Sequence, residues 1–196
     1  MEIREEGGAD YRAIWQLVQE AFDAAPISTG SEQEYIDMLR GSARYLPELS
    51  LVAVDRGRLL GHIMLTRSVV VPDSGQTAPG TAADVGADDS GESDVCTSAS
   101  TMECLVLGPV AVDRRHQGQG IGSALIREGL HRARRLGYRL VFLTGDRDYY
   151  GRFGFVPAAD YGIYCQPDLP AQYRDRVLVL ELVPGAVRGV AGTVQL

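Results

Sequence analysis

The sequence predicts an α/β (α+β) domain, a sheet with helices packed against it. Three observations carry that expectation. Residues 106–112, 113–120 and 121–136 read as an apolar strand, a glycine turn and an amphipathic helix. Residues 49–55 and 59–71 read as two strands joined through Arg56-Gly57-Arg58, a hairpin whose apolar residues suit a half-buried sheet. Residues 138–144 and 176–183 are further apolar runs of strand length.

In chain order, residues 2–4 give a short first strand. Asp10 is the expected N-cap of a helix whose Ile14, Leu17, Val18, Ala21 and Phe22 recur at helical spacing. Ala24-Ala25-Pro26 ends it. Ser31-Glu32-Gln33-Glu34 fits a capping box and opens a second helix through Tyr35, Ile36, Met38 and Leu39. After the hairpin, residues 73–102 change character. They are rich in Gly, Ser, Thr, Ala and Asp and too poor in large apolar groups to offset their ordering entropy. They read as a low-complexity acidic insertion within one domain spanning 1–196. Lengthening a four-residue turn to this size costs roughly 1.8 kcal/mol of closure entropy, which a stable domain tolerates. The sheet resumes at 104–112. Gly108-Pro109 inside that strand predicts a bulge or splay, because proline has no N–H for a ladder, and a ligand could enter there. Gly137 is the expected C-cap of the long helix. Residues 145–148 read as a turn, 149–155 as a short helix or turn, and 194–196 as a last strand.

Composition removes several classes of chemistry. All 19 basic residues are arginine, which excludes a P-loop lysine, a pyridoxal Schiff base and a lysine nucleophile. There is no G-x-S-x-G elbow. Three histidines and three cysteines show no zinc-ligand spacing, so no metal is expected. No apolar stretch reaches a membrane span, and the acidic start has no apolar signal region. Cys96, Cys104 and Cys165, without a C-x-x-C, suit a reduced cytoplasmic protein. The net charge is −7, but residues 73–102 hold six acids and no arginine. The remainder is close to neutral, which argues against a nucleic-acid partner.

The glycine turn carries the sharpest functional signal. Gly118, Gly120 and Gly122 just ahead of a helix leave backbone N–H groups bare at its start, and with the helix dipole these suit a phosphate or pyrophosphate. The dinucleotide pattern G-x-G-x-x-G fails in both frames, since its third glycine falls on Ser123 or Leu125.

The strand, then Gln117-Gly118-Gln119-Gly120-Ile121-Gly122 and the helix, then a strand and Tyr150-Gly151-Arg152-Phe153-Gly154-Phe155, resemble the GNAT superfamily of acetyl-CoA-dependent N-acetyltransferases. Leu107-Gly108-Pro109-Val110-Ala111-Val112-Asp113 and the run from Gly145 to Phe155 resemble its YhbS-like branch. The close match covers residues 104–160. It implies a mixed, mostly antiparallel sheet flanked by helices and splayed at the central strand pair. It also implies a pantetheine arm paired with backbone near Val110, Ala111 and Val112, and a pyrophosphate on the N–H groups of Gln117, Gly118, Gln119, Gly120, Ile121, Gly122 and Ser123.

By that resemblance Tyr150 is the candidate acid that protonates the departing thiolate, against the alternative that it only packs. Glu103, just ahead of the central strand, is the candidate base, against a surface strand-end carboxylate. His62 and His116 are the other titratable candidates, His116 read as an exposed turn residue. Arg114 and Arg115 either meet the CoA 3′-phosphate or are solvated. Two features depart from the family: an Asn-x-x-Ala segment is replaced by Gly-Asp-Arg-Asp-Tyr, and Gln119 stands where a basic residue is common. The implied activity is direct acetyl transfer from acetyl-CoA to a small-molecule or peptide amine. A non-catalytic acyl-CoA-binding sensor or partner module is the alternative. Oligomeric state is open, a homodimer included.

Overall fold

The computed structural model describes residues 1–23, 30–72, 101–166, 169 and 171–196. The helix break at Ala24-Ala25-Pro26 and residues 73–100 of the insertion lie outside these. The described strands are β1 (Glu2–Glu5), β2 (Ser50–Asp55), β3 (Arg58–Val71), β4 (Met102–Val112), β5 (Leu140–Thr144), β6 (Val156–Pro157), β7 (Ile163–Gln166), β8 (Val177–Glu181) and β9 (Gly192–Gln195). The helices are α1 (Tyr11–Phe22), α2 (Glu32–Arg40), α3 (Ile121–Arg135) and α4 (Arg147–Gly151). The strands form one sheet in the order β1-β2-β3-β4-β5-β8-β6, with β9 on the far end of β3 and β7 beside β9. Pairing is antiparallel except at β4–β5 and β7–β9. This is the mixed, mostly antiparallel sheet that was expected; β6 and β7 are additions to the sequence reading.

Strand alternation sorts the core onto two faces. Leu51, Ile63, Leu65, Leu105, Leu107 and Val141 pack against Leu125, Ile126 and Leu130 of α3. Val52, Met64 and Ala111 point the other way, onto Ile14 and Val18 of α1 and Ile36 and Leu39 of α2. Helix α3 sits close on the sheet because two glycines permit it. A Cβ on Gly129 would stand 2.9 Å from Leu65 Cδ1, and one on Gly61 2.9 Å from Leu125 Cδ1.

Local chemistry explains most boundaries. Arg56 and Gly57, at φ 48° and 77°, form the two-residue turn between β2 and β3, a positive-φ pair that matches strand twist. Helix α3 ends as expected at Gly137: its N–H bonds the Arg134 carbonyl and the Tyr138 N–H bonds that of Ala133, a Schellman pair. Two expected caps are absent. Asp10 and Ser31 stand at the N-caps of α1 and α2, but neither side chain makes a capping hydrogen bond. Asp10 turns back instead, accepting from Arg4 at 2.7 and 2.9 Å and from the Gly7 N–H at 2.8 Å.

The central irregularity lies in β4. Ile63 is opposite Val110 and Leu65 opposite Leu107, so Gly108 and Pro109 together face Met64 alone. This is the predicted bulge. On its other edge β4 pairs with β5 only at Leu105–Val141 and Val106–Phe142. From Leu107 to Val112 β4 continues without that partner, and the sheet parts.

A buried polar cluster ties β1, α2 and the hairpin together on the α1/α2 face. The Glu6 carboxylate accepts from Arg40 Nε and Nη2 at 2.9 and 2.8 Å, from the Tyr45 hydroxyl at 2.9 Å and from His62 Nε2 at 3.1 Å. The side chains of Glu6 and His62 are shielded from solvent. Burial pushes the His62 imidazole down, and the Glu6 carboxylate offsets this only in part. Burial pushes the Glu6 carboxyl up, but its bonds from Arg40 and His62 together outweigh it and hold the group well below the usual carboxylate range. Both pKa values are lowered on folding, so the unfolded chain binds more protons as pH falls, and stability falls with it. The loss begins below about pH 6.5 through His62 and continues below about pH 4.3 through Glu6. Urea unfolding of the wild type is expected to show the first decline with a limiting slope of about 1.4 kcal/mol per pH unit. His62→Gln, which keeps a donor toward Glu6, is expected to abolish that decline and retain the second. An unchanged profile in the variant would assign it to another group.

Candidate active site

Where β4 parts from β5, a cleft of about 520 Å³ opens. Val110 and Val112 of β4 form one wall. Gln117, Gly118, Gly120, Ile121, Gly122 and Ser123 line the end at the start of α3. Tyr149, Tyr150 and Arg152 face them from α4 and its end, and Ala21, Phe22 and His116 complete the lining.

The start of α3 has the geometry that suits an anion. Gly118 and Gly120 adopt φ of 74° and 83°, conformations that favour glycine. No side chain caps the helix, and its first backbone bond runs from the Ala124 N–H to the Gly120 carbonyl. The N–H groups of Ile121, Gly122 and Ser123 precede that bond, at the positive end of the helix dipole. A Cβ on Gly122 would stand 3.3 Å from the Tyr149 hydroxyl and 3.4 Å from Val112 Cγ2. Bare backbone there lets β4, α3 and α4 meet around one narrow space.

Helix α4 positions the two tyrosines. The Asp146 carboxylate caps it, accepting from the Tyr149 N–H at 2.7 Å. Tyr149 reaches the start of α3, whereas the Tyr150 ring lies over Gly145, next to the parting. Tyr150 is held edge-on to Tyr149 at 4.9 Å between centroids and to Phe155 at 5.9 Å. Burial, with a smaller contribution from Tyr149, pushes its phenol up to about 12, so it is a protonated donor at neutral pH.

Not every expected residue reaches the cleft. Ala111 turns its side chain to the α1/α2 face and pairs with His62 across β3, so only its backbone borders the parting. Gln119 Nε2 donates to the Arg115 carbonyl at 3.4 Å and is outside the lining. The Gln117 side chain donates to the Val112 carbonyl at 3.2 Å, fastening turn to strand. Glu103 is exposed, opposite Val69. Val110 is seven positions further along the strand, roughly 23 Å at the usual rise, and Glu103 does not line the cleft. Among the described residues no carboxylate lines the cleft. His62 belongs to the Glu6 cluster. His116, expected to be exposed, is partly buried with Nδ1 3.4 Å from the Asp113 carboxylate. Phe22 and Ala21, read as helix core, and Arg152 join the site because α1 ends and α4 turns beside it.

A second hollow of about 370 Å³ flanks the same parting. Val106 to Pro109 of β4, Thr144 at the end of β5, and Ser31, Glu32 and Tyr35 of α2 and its approach line it, with Leu196. Thr144 borders this hollow, and Gly145 carries the Tyr150 ring that borders the first.

Residues 11–155 match the model of the Acetyltransferase (GNAT) family. The chain is 33% identical over 129 residues to the N-acetyltransferase YjhQ of Escherichia coli (strain K12), covering 65% of this chain and 58% of that protein. It is 33% identical over 104 residues to the N-acetyltransferase YhbS of the same strain, covering 53% and 60%. The matches thus span less than two thirds of these curated relatives. Two solved structures resemble the whole chain. The E. coli YhbS complex with CoA superposes with TM-score 0.74 at 26% identity, covering 99% of this chain and 88% of that one. A GNAT family acetyltransferase from Brucella melitensis in complex with acetyl-CoA gives 0.67 at 29%, covering 98% and 93%.

The packing of Tyr150 on Gly145 is directly testable. A Cβ at Gly145 would stand 2.7 Å from Tyr150 Cδ2, closer still to Cε2, and 3.0 Å from Leu143 Cδ1. Gly145→Ala is expected to destabilise the protein by about 1–3 kcal/mol in urea unfolding, as overpacking does. In a Tyr150→Ala background the same change is expected to lose most of that penalty. Equal penalties in both backgrounds would show that the ring is not what the methyl meets.

Proposed function

We propose that this chain, which belongs to the Acetyltransferase (GNAT) family, is an acetyl-CoA-dependent N-acetyltransferase that transfers the acyl group directly to an amine. The observation that carries the reading is one cleft with uncapped helix-start amides at one end and a partly buried, protonated tyrosine at the parting of β4 and β5. The complexes of the similar E. coli and Brucella proteins with CoA and acetyl-CoA support it. The family model covers most of the chain, and residues 1–196 form one acyltransferase domain in this reading.

The amides of Gln117 to Ser123 hold the pyrophosphate, with the backbone of Gln119 contributing although its side chain turns away. The β4 edge from Val110 through Ala111 to Val112, left without β5, offers backbone groups to the amides of the pantetheine arm. This places the thioester at the parting, beside Tyr150. The acceptor amine comes through the second hollow, past Pro109 and Thr144, and its nitrogen attacks the thioester carbonyl carbon. As the carbon–sulfur bond breaks, the Tyr150 hydroxyl donates its proton to the sulfur, the amine proton leaves to water, and the Tyr150 phenolate takes a proton back from water. A phenol at about 12 facing a thiolate near 8.5 would be uphill by roughly 3.5 units, about 5 kcal/mol, in water. Burial that raises the phenol also raises a thiol formed beside it, which narrows the gap. Glu103 stands outside this chemistry. The acceptor is a small-molecule or peptide amine. A cytoplasmic setting fits too: neither Cys104 nor Cys165 is in a disulfide, and no described helix is long and apolar enough to cross a membrane.

Tyr150→Phe is expected to lower kcat about 10²- to 10⁴-fold while acetyl-CoA binding, measured by calorimetry, stays unchanged. Unaltered turnover would remove Tyr150 as the acid. In the wild type, kcat/KM is expected to rise with pH as the amine deprotonates, without a downturn from Tyr150 up to about pH 10, because its phenol is pushed up to about 12. Acetyl-CoA binding with no transfer across an amine panel would favour the non-catalytic binding module.

A further inference from the structure

The two hollows at the parting are sorted by charge. On the cleft side the described lining holds Arg152, His116 and the uncapped start of α3, and no carboxylate. In the hollow of about 370 Å³ on the other side the order is reversed. Glu32 is the one acidic side chain among its described lining residues, and no arginine or histidine joins it. The chain has no lysine to supply a cation there either. Glu32 lies in the first turn of α2 and is half-buried. Val106, Leu107 and Pro109 of β4 give the hollow apolar walls, and its other polar side chains are hydroxyls, that of Thr144 among them.

Such a hollow selects by what it lacks as well as by what it holds. A primary amine, with a pKa of about 10, is a cation in neutral water. Moving among apolar walls, it needs a counter-charge, and Glu32 offers one. A carboxylate on the amine itself would meet Glu32 and no cation, which combines repulsion with an unpaired buried charge. A second ammonium, as in a diamine, would find the one acidic side chain already engaged. Sugar hydroxyls and peptide amides would bring many polar groups to walls that offer few partners. We infer that the acceptor is a primary monoamine with an apolar carbon body, an arylalkylamine or alkylamine, and that Glu32 selects it by meeting its ammonium. The inference rests on the proposed acetyl transfer and narrows its acceptor. Glu32 acts in recognition, and the amine proton still leaves to water. The volume is at the low end of small-molecule pockets, which run from about 300 to 1,000 Å³, so the hollow has room for a body of one aromatic ring.

The test measures CoA release by the full chain at saturating acetyl-CoA with five acceptors: phenethylamine, phenylalanine, putrescine, glucosamine and a short peptide with a free N-terminus. Phenethylamine is phenylalanine without the carboxylate, so the ratio of their kcat/KM values reads the charge. That ratio is expected to be at least about 100, and phenethylamine is expected to exceed the other three by about tenfold or more. Glu32→Gln is expected to raise KM for phenethylamine about tenfold, to change kcat less than about threefold, and to shrink the ratio at least about tenfold. Glu32→Asp, which keeps the charge, is expected to keep most of the ratio. Unchanged acetyl-CoA affinity by calorimetry is expected in both variants and checks their folding. Phenylalanine used as well as phenethylamine by the wild type would overturn the inference without recourse to any variant. So would faster transfer to putrescine, glucosamine or the peptide, or a preference that Glu32→Gln keeps in full. Each of these leaves the acetyl transfer standing, because CoA is still released. Acetyl-CoA binding without release for any of the five amines would remove the transferase reading, and this inference with it.

Discussion

The functional architecture depends on a failure of strand pairing. Beyond Val106 and Phe142, β4 and β5 no longer pair, and β4 runs on through Val112 without a strand on that edge. Unpaired backbone in a sheet interior is costly unless something else bonds it. Here the bulge at Gly108 and Pro109 accompanies the parting: it takes two residues of β4 past one residue of β3. The strand is thereby bent where its partner is lost. An extended ligand rich in amides can restore the missing bonds, as another strand would.

The rest of the molecule holds that opening in shape. Helix α3 lies on one face, brought close by Gly61 and Gly129, so its first turn is fixed beside Val112. On the other face α1 and α2 pack on Met64 and Ala111, and the Glu6 cluster locks β1, α2 and the hairpin below them. His62, which pairs with Ala111 across β3, joins the two systems. A carboxylate shared by an arginine, a tyrosine and a histidine is a poor source of net stability compared with an apolar core, yet breaking it leaves a buried charge without partners. Its effect is to make this arrangement of elements hard to loosen piecemeal.

Most of the sheet and the uncapped start of α3 were legible because their signals are local. Glycines at 118, 120 and 122 before an amphipathic helix state their geometry within a few residues, and Gly108-Pro109 announced the bulge. The strands β6 and β7 were not legible. Val156–Pro157 is two residues long, and β7 alternates buried Ile163 and Cys165 with exposed Tyr164 and Gln166 over only four. Such short runs gain their partners from β8 and β9, far along the chain. The Glu6 cluster joins residues 34, 39 and 56 positions apart, and nothing in the sequence pattern of any one of them signals it. Glu103 shows the converse error: closeness in sequence to the central strand is not closeness to the site, because an extended strand carries its two ends far apart.

The geometry also bears on how acid and base duties are divided. A carboxylate near the parting would help strip the ammonium, but it would compete for the Tyr150 proton and raise that phenol further. Among the described residues none lines the cleft, Glu32 bordering the opposite hollow instead, and Tyr150 in the cleft is a phenol raised by burial among aromatic rings. In the proposed reaction such a site keeps Tyr150 protonated and leaves deprotonation of the amine to the acceptor side. The two mouths of the parting then do different work. In the proposed reaction the cleft takes the thioester beside Tyr150, and the opposite hollow, bordered by Thr144 and Glu32, admits the amine.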